Sequence, residues 1–176
     1  YGGYQPHDSS GILRYVSIRH AGDEVGDGNE LNGLTMGGVG DGTILQNIEV
    51  YANQDDGIEW FGGTVNAQNV VLVTIGDDSL DIDQGFNGNV QNALVVQTFF
   101  NQDSGDVFGA ASGDNMGEWD GDDCDPCNVQ VENISPFLEP EFPQSWPNAN
   151  PQIVNATMIG AKDEDGNRSE ERRVGG

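Results

Sequence analysis

Two kinds of apolar spacing alternate along the chain, and they recur together. In "GLTM", "GIEW" and "SLDI" apolar residues stand two apart: Leu34 and Met36, Ile58 and Trp60, Leu80 and Ile82. Thr35, Glu59 and Asp81 lie between them. Period two is the mark of a short strand with one face toward a core and the other toward water. In "LQNIEV", "AQNVVL" and "VQNALV" an asparagine (Asn47, Asn69, Asn92) has an apolar residue two positions before it and another directly after it. "VENISP" and "IVNATM" repeat that arrangement around Asn133 and Asn155. Glycines and Asp-Gly pairs separate the segments and mark turns, and no stretch keeps a helical period over three turns.

The spacing of these segments decides the architecture. Asn47, Asn69 and Asn92 are 22 and 23 residues apart, and Asn133 and Asn155 are again 22 apart. The gap of 41 between Asn92 and Asn133 reads as one period plus an insertion of 19. Short strands and tight turns repeating at this period predict an all-β, right-handed parallel β-helix, in which each period is one coil and equivalent residues stack about 4.8 Å apart. Asn47, Asn69, Asn92, Asn133 and Asn155 then form a ladder of stacked amides, expected inside the coil at a corner. "SGILRYVSIRHAG" (10–22) matches the second half of a coil, with Leu13, Val16 and Ile18 inward and Tyr15 in the asparagine slot. Its first half is not matched, so residues 1–176 read as one β-helix segment of a longer solenoid, or one that pairs with another chain.

Two stretches interrupt the repeat. Residues 99–127 are acidic and Gly-rich, with seven Asp and one Glu. Residues 136–151 hold five of the seven prolines together with Phe137, Phe142 and Trp146. Loops inserted on a solenoid are frequent binding elements. These aromatics either contact a partner protein or glycan, or fold back over the core.

Charge narrows the partners. Thirty acids against six Lys or Arg give a net charge of −24. Nucleic acids and anionic membrane surfaces need basic side chains and are excluded as partners, and no run is long enough to insert into a membrane. No initiator Met or apolar leader segment opens the sequence, which reads as a processed or partial chain. "CDPC" offers only Cys124 and Cys127, too few for a structural zinc site. A small disulfide loop in an exported protein is the expectation, with a redox pair as the other option.

The acids also repeat. "NQDDGIEW" (53–60) is followed one period later by "IGDDSLDID" (75–83), so Asp55/Asp56 stack on Asp77/Asp78 and Glu59 on Asp81 and Asp83. Like charges one coil apart repel, which calls for a bound cation or for protonation. Hard cations such as Ca2+ take six to eight oxygens. The expected donors are Asp55, Asp56, Glu59, Asp77, Asp78, Asp81 and Asp83. Asp114, Glu118, Asp120, Asp122 and Asp123 from the acidic insertion are added to them.

The stretches "SSGILRYVSIRHAG", "NELNGLTMGGVGDGT", "DDGIEWFGGTVNAQNV", "GDDSLDIDQGFNGNVQNALV" and "PQIVNATMIG" resemble a family of exported bacterial β-helix surface proteins and lipoproteins, of the kind found in Bacteroidetes-like bacteria. The resemblance implies a right-handed β-helix outside the cell and no assigned activity. "NQDDG" with "GDDS" is also similar to the acidic motifs of polygalacturonases, but the Gly-His-Gly and Arg-Ile-Lys partners are missing, and His7 and His20 both precede the repeat. The resulting expectation is a non-enzymatic, extracellular or cell-surface protein for binding, adhesion or assembly, stabilised by Ca2+. Its partner would be another protein, further copies of itself, or a surface glycan. A carbohydrate-active hydrolase or lyase is the alternative.

Overall fold

The computed structural model describes residues 5–26, 31–98, 116–119 and 149–160. Ten strands follow one another without a helix among the described residues: β1 (Ile12–Arg19), β2 (Leu34–Gly37), β3 (Ile44–Tyr51), β4 (Ile58–Phe61), β5 (Asn66–Val73), β6 (Leu80–Asp83), β7 (Asn89–Val96), β8 (Glu118–Trp119), β9 (Gln152–Val154) and β10 (Thr157–Ile159). Every pairing is parallel and joins a strand to its counterpart one coil on. One sheet runs β1-β3-β5-β7, then β7 with both β9 and β10; the other runs β2-β4-β6-β8. The chain is a parallel β-helix, with each coil contributing one long and one short strand.

The two sequence patterns become inward files on the two sheets. Leu34, Ile58 and Leu80 stand in register, as do Met36, Trp60, Ile82 and Trp119. Ile48, Val70 and Ala93 form another file in the long-strand sheet. Between the sheets Trp60 is fully buried and stacks on Phe86 with ring centroids 5.3 Å apart. Burying aromatic and branched side chains from each coil against the next is the main stabilising contribution, since no coil can cover its own apolar face alone.

Tyr15, Asn47, Asn69, Asn92 and Asn155 all have φ between 56° and 59°. This left-handed residue in mid-strand explains the odd apolar spacing. It bends the strand, so residues two before and one after it both point inward: Leu45 and Ile48, Ala67 and Val70, Val90 and Ala93 are all buried. Asparagine fits because its short polar side chain tolerates this conformation better than other residues with a Cβ.

The asparagines are hydrogen-bonded in a ladder: Asn69 donates to Asn47 at 2.8 Å, Asn92 to Asn69 at 2.8 Å and Asn155 to Asn92 at 2.6 Å. One expectation needs correction. The ladder lies on the outer surface, half-buried or exposed, and not inside the coil. A left-handed corner turns its side chain away from the core, so the amides satisfy one another at the surface. The ladder steps directly from Asn92 to Asn155, across 63 residues. Asn133 itself lies outside the described residues. So do Cys124, Cys127, Phe137, Phe142, Trp146 and the whole of 136–148. Within 99–127, read as a loop, Glu118–Trp119 is instead a strand of the short-strand sheet, paired with β6.

The left-handed corner gives a test. In urea unfolding, Asn69→Val is expected to cost about 1–2 kcal/mol more than Asn69→Gly, because a β-branched residue is strained at positive φ. Equal costs for the two variants would mean that the amide contact, not the backbone, selects asparagine here.

Candidate functional site: a stacked carboxylate cluster

The turns that lead into the short strands are built by close stacking. Gly57 N donates to Asp78 O at 2.8 Å, and Gly33 N donates to Asp56 O at 2.8 Å. A Cβ on Gly57 would sit 2.5 Å from Ser79 O, and one on Gly76 only 2.1 Å from Gln54 O. Glycine therefore recurs beside the acidic doublets because the coils approach too closely there for any side chain. The same stacking puts Asp56 over Asp78, and the Asp78 backbone N–H donates to Asp56 Oδ1 at 3.0 Å.

Beyond each turn the short strand carries a file of polar side chains on its outward face: Thr35, Glu59, Asp81 and Glu118. Simple alternation predicts this face to be wet. Instead Glu59 and Asp56 are only 9% and 8% exposed, and Asp78 only 4%. Asp56, Glu59 and Asp81 each bring a carboxylate oxygen into a group spanning no more than 4.8 Å, and Asp55, Asp56 and Asp77 form a second such group. Asp56 belongs to both. Asp83 ends β6 beside Phe61 in register and accepts from the Gln84 N–H at 2.9 Å. Asp114, Asp120, Asp122 and Asp123 lie outside the described residues.

The electrostatics follow from burial and from the crowding of like charges. Burial, reinforced by the charges of Asp81 and Asp55, pushes the Asp56 carboxyl up to about 8. Asp78 rises to about 9 by burial and by its hydrogen bond and proximity to Glu118. Burial and the neighbouring Glu59 raise Asp81 to about 8. Glu59 reaches about 7 by burial, although hydrogen bonds from Asn32 and Asp81 hold it lower than it would otherwise go. Asp55 is also raised, again by burial. Among the described residues the only Lys or Arg side chains are Arg14 and Arg19, both on β1 of the other sheet, where Arg19 pairs with Glu49.

Asn32 was not among the expected site residues. It occupies the slot of Asp56 one coil earlier, and its Nδ2 donates to Glu59 Oε2 and, at 3.2 Å, to Thr35 Oγ1. The parallel between "ELNGLT" and "QDDGIE" carried that information. Coil by coil the two slots read Asn32/Thr35, Asp56/Glu59 and Asp78/Asp81, so the acidity begins on the second coil of the stack.

All four strongly raised carboxyls bind their protons more tightly in the folded chain than in the unfolded one. Their contribution to stability is therefore complete below about pH 4 and is lost as pH rises through 7 to 9. In chelator, the thermal midpoint is expected to fall steadily over that window, and Asp78→Asn to make the fall shallower. A midpoint independent of pH between 5 and 9 would show that the carboxyls are not perturbed.

Comparison with curated proteins and with solved structures gives no match. A family model does match, over residues 1–176, and its description is a pectate-lyase like beta helix domain. The agreement of that match with the coil-by-coil pairing of both sheets places the chain in the pectate-lyase-like beta helix domain family.

Proposed function

We propose that this protein is an exported, non-enzymatic β-helix of the cell surface that serves binding, adhesion or assembly, and that its acidic turns hold Ca2+. The observation that carries the reading is the grouping of Asp56, Glu59 and Asp81 oxygens within 4.8 Å across two coils. Ca2+ sits about 2.3–2.6 Å from its oxygens, so ligands on opposite sides of one ion are about 4.8 Å apart. The oxygens of the group all lie within that span, and Asp55 and Asp77 extend it around Asp56 with further oxygens. Divalent charge replaces the protons that burial otherwise imposes, and it does so at neutral pH. A cation clamping adjacent coils suits a solenoid used as a rigid surface module, because it ties the stack where like charges weaken it. No helix among the described residues is long and apolar enough to cross a membrane.

The alternative, a carbohydrate-active enzyme, draws on the same acids: carboxyls protonated near pH 7 are suited to act as general acids. It asks in addition for a basic clamp on an acidic sugar, and the Lys and Arg side chains among the described residues, Arg14 and Arg19, stand on the other sheet. The weight of the site lies with cation binding.

Titration with CaCl2 after chelation tests the reading. At free Ca2+ one hundred times the dissociation constant the folded state should gain about 2.7 kcal/mol. Asp56→Asn, which removes the carboxylate common to both groups, should abolish most of the gain. The protein should release no reducing ends and no unsaturated product from polygalacturonate. Turnover of that polymer, or a midpoint unmoved by Ca2+, would contradict the proposal.

A further inference from the structure

The long-strand sheet changes character at the asparagine corner. Before the corner the strands alternate: Gln46, Gln68 and Gln91 lie outward beside the buried Leu45, Ala67 and Val90, and hydrogen-bond from coil to coil. Beyond it the alternation stops. "VVLV" (70–73) and "ALVV" (93–96) are apolar at every position, although only Val70, Leu72, Ala93 and Val95 are buried in the core. The outward positions form two files in register. One holds Glu49, Val71, Leu94 and Thr157, the other Tyr51, Val73, Val96 and Ile159. Val71, Val73 and Val96 are half-buried, while Leu94 and Ile159 are 36% and 51% exposed. An unbroken apolar run is the pattern of a strand covered on both faces. The core accounts for the inner face, and the outer face calls for a partner.

The chemistry of this facet identifies the partner. Its charged side chains among the described residues are Arg19 and Glu49, which pair with each other, and the Arg19 guanidinium also lies 5.1 Å from the Tyr51 ring centroid. The facet is therefore neutral on a chain whose net charge is −24, so a second copy meets it without the repulsion that the acidic remainder imposes. The facet also matches itself. A two-fold axis running along the solenoid sets each file against the other file of the second copy, with like coils level. Val71 then faces the partner's Val73, and Leu94 faces the partner's Val96. Glu49 comes level with the partner's Tyr51, one coil from the partner's Arg19. Apolar coils thus meet apolar coils, the self-complementarity that a two-fold interface requires. An axis across the solenoid would instead set the Arg19 end of one copy against the Ile159 end of the other.

We propose that two copies of this chain associate side by side through the facet, with their solenoid axes parallel. The inference rests on the assembly part of the function proposed above, to which it gives a partner and a surface, and it does not require Ca2+. The facet spans five strands between the left-handed corners at Asn69 and Thr74, roughly 16 by 24 Å. That is roughly 400 Å² from each copy, less than the ~800 Å² of a standard interface, so the association is weak and reversible. It builds up where copies are concentrated.

Sedimentation equilibrium tests it, in chelator and about 0.15 M salt, which screens exposed charges beyond about 8 Å. The average mass should climb from that of one chain toward twice that value as protein concentration rises. Leu94→Glu and Val96→Lys should each weaken the pair about tenfold or more, through a charge buried in an apolar contact, and should keep the thermal midpoint. Mixing the two variants should restore association, because positions 94 and 96 face each other across the axis. Gln91→Glu adds the same charge on the other side of the corner and should leave association unchanged. If either facet variant unfolds, Val71→Lys with Val73→Glu makes the same test one coil earlier. A mass that does not change with concentration, facet variants that associate as the parent does, or a mixture no better than its components would each overturn the proposal. A monomer at every concentration would leave the Ca2+ titration to decide the cation reading by itself.

Discussion

Hydrogen bonding between successive parallel strands holds equivalent residues of neighbouring coils about 4.8 Å apart, whatever their chemistry. Apolar side chains gain by this spacing: Met36, Trp60, Ile82 and Trp119 pack into one continuous file. Amides gain too, since an amide can donate to the one below and accept from the one above. Carboxylates lose. The same register that stacks Trp60 on its neighbours brings Asp56, Glu59 and Asp81 within 4.8 Å, largely out of water and, among the described residues, with no Lys or Arg on their sheet. The properties of both surfaces derive from this one distance.

The consequences differ between the two sheets. On the long-strand sheet the stacked amides satisfy each other from coil to coil. Beside the short strands the stacked groups repel, and the folded state accepts either protons or a metal ion to relieve the repulsion. Protonation and cation binding compete for the same oxygens. Stability, pH and cation concentration are therefore linked through Asp56, Glu59, Asp78 and Asp81, while the stacked amides carry no titrating group.

Much of this was readable in the sequence because a repeat reports register directly. The pairs Leu34/Met36, Ile58/Trp60 and Leu80/Ile82 aligned as their letters suggested, and the spacing of Asn47, Asn69 and Asn92 marked one corner on three coils. Periodicity reports which residues stack; it does not report which way a corner side chain points. The asparagines were read as internal because a repeated polar residue among apolar ones suggests burial, whereas the left-handed φ turns them outward. The burial of Glu59 was also hidden, since alternation assigns a side to a residue and not the depth at which it lies. Asp55, Asp56 and Asp77, and Asp56, Glu59 and Asp81, did come together as the stacking implied, whereas Asp78 and Asp83 belong to neither group; Asn32 joined Glu59 through a slot relation that charge alone would not show.

The central claim is that coil stacking forces protons onto these carboxyls unless a cation takes their place. Carbon-detected NMR titration of the side-chain carboxyls, in chelator and then in excess Ca2+, measures this residue by residue. The account predicts midpoints raised to about 8 for Asp56 and Asp81 and about 9 for Asp78 without the ion, falling into the ordinary carboxylate range once Ca2+ is present. Midpoints near 4 for all three in the absence of any cation would contradict it.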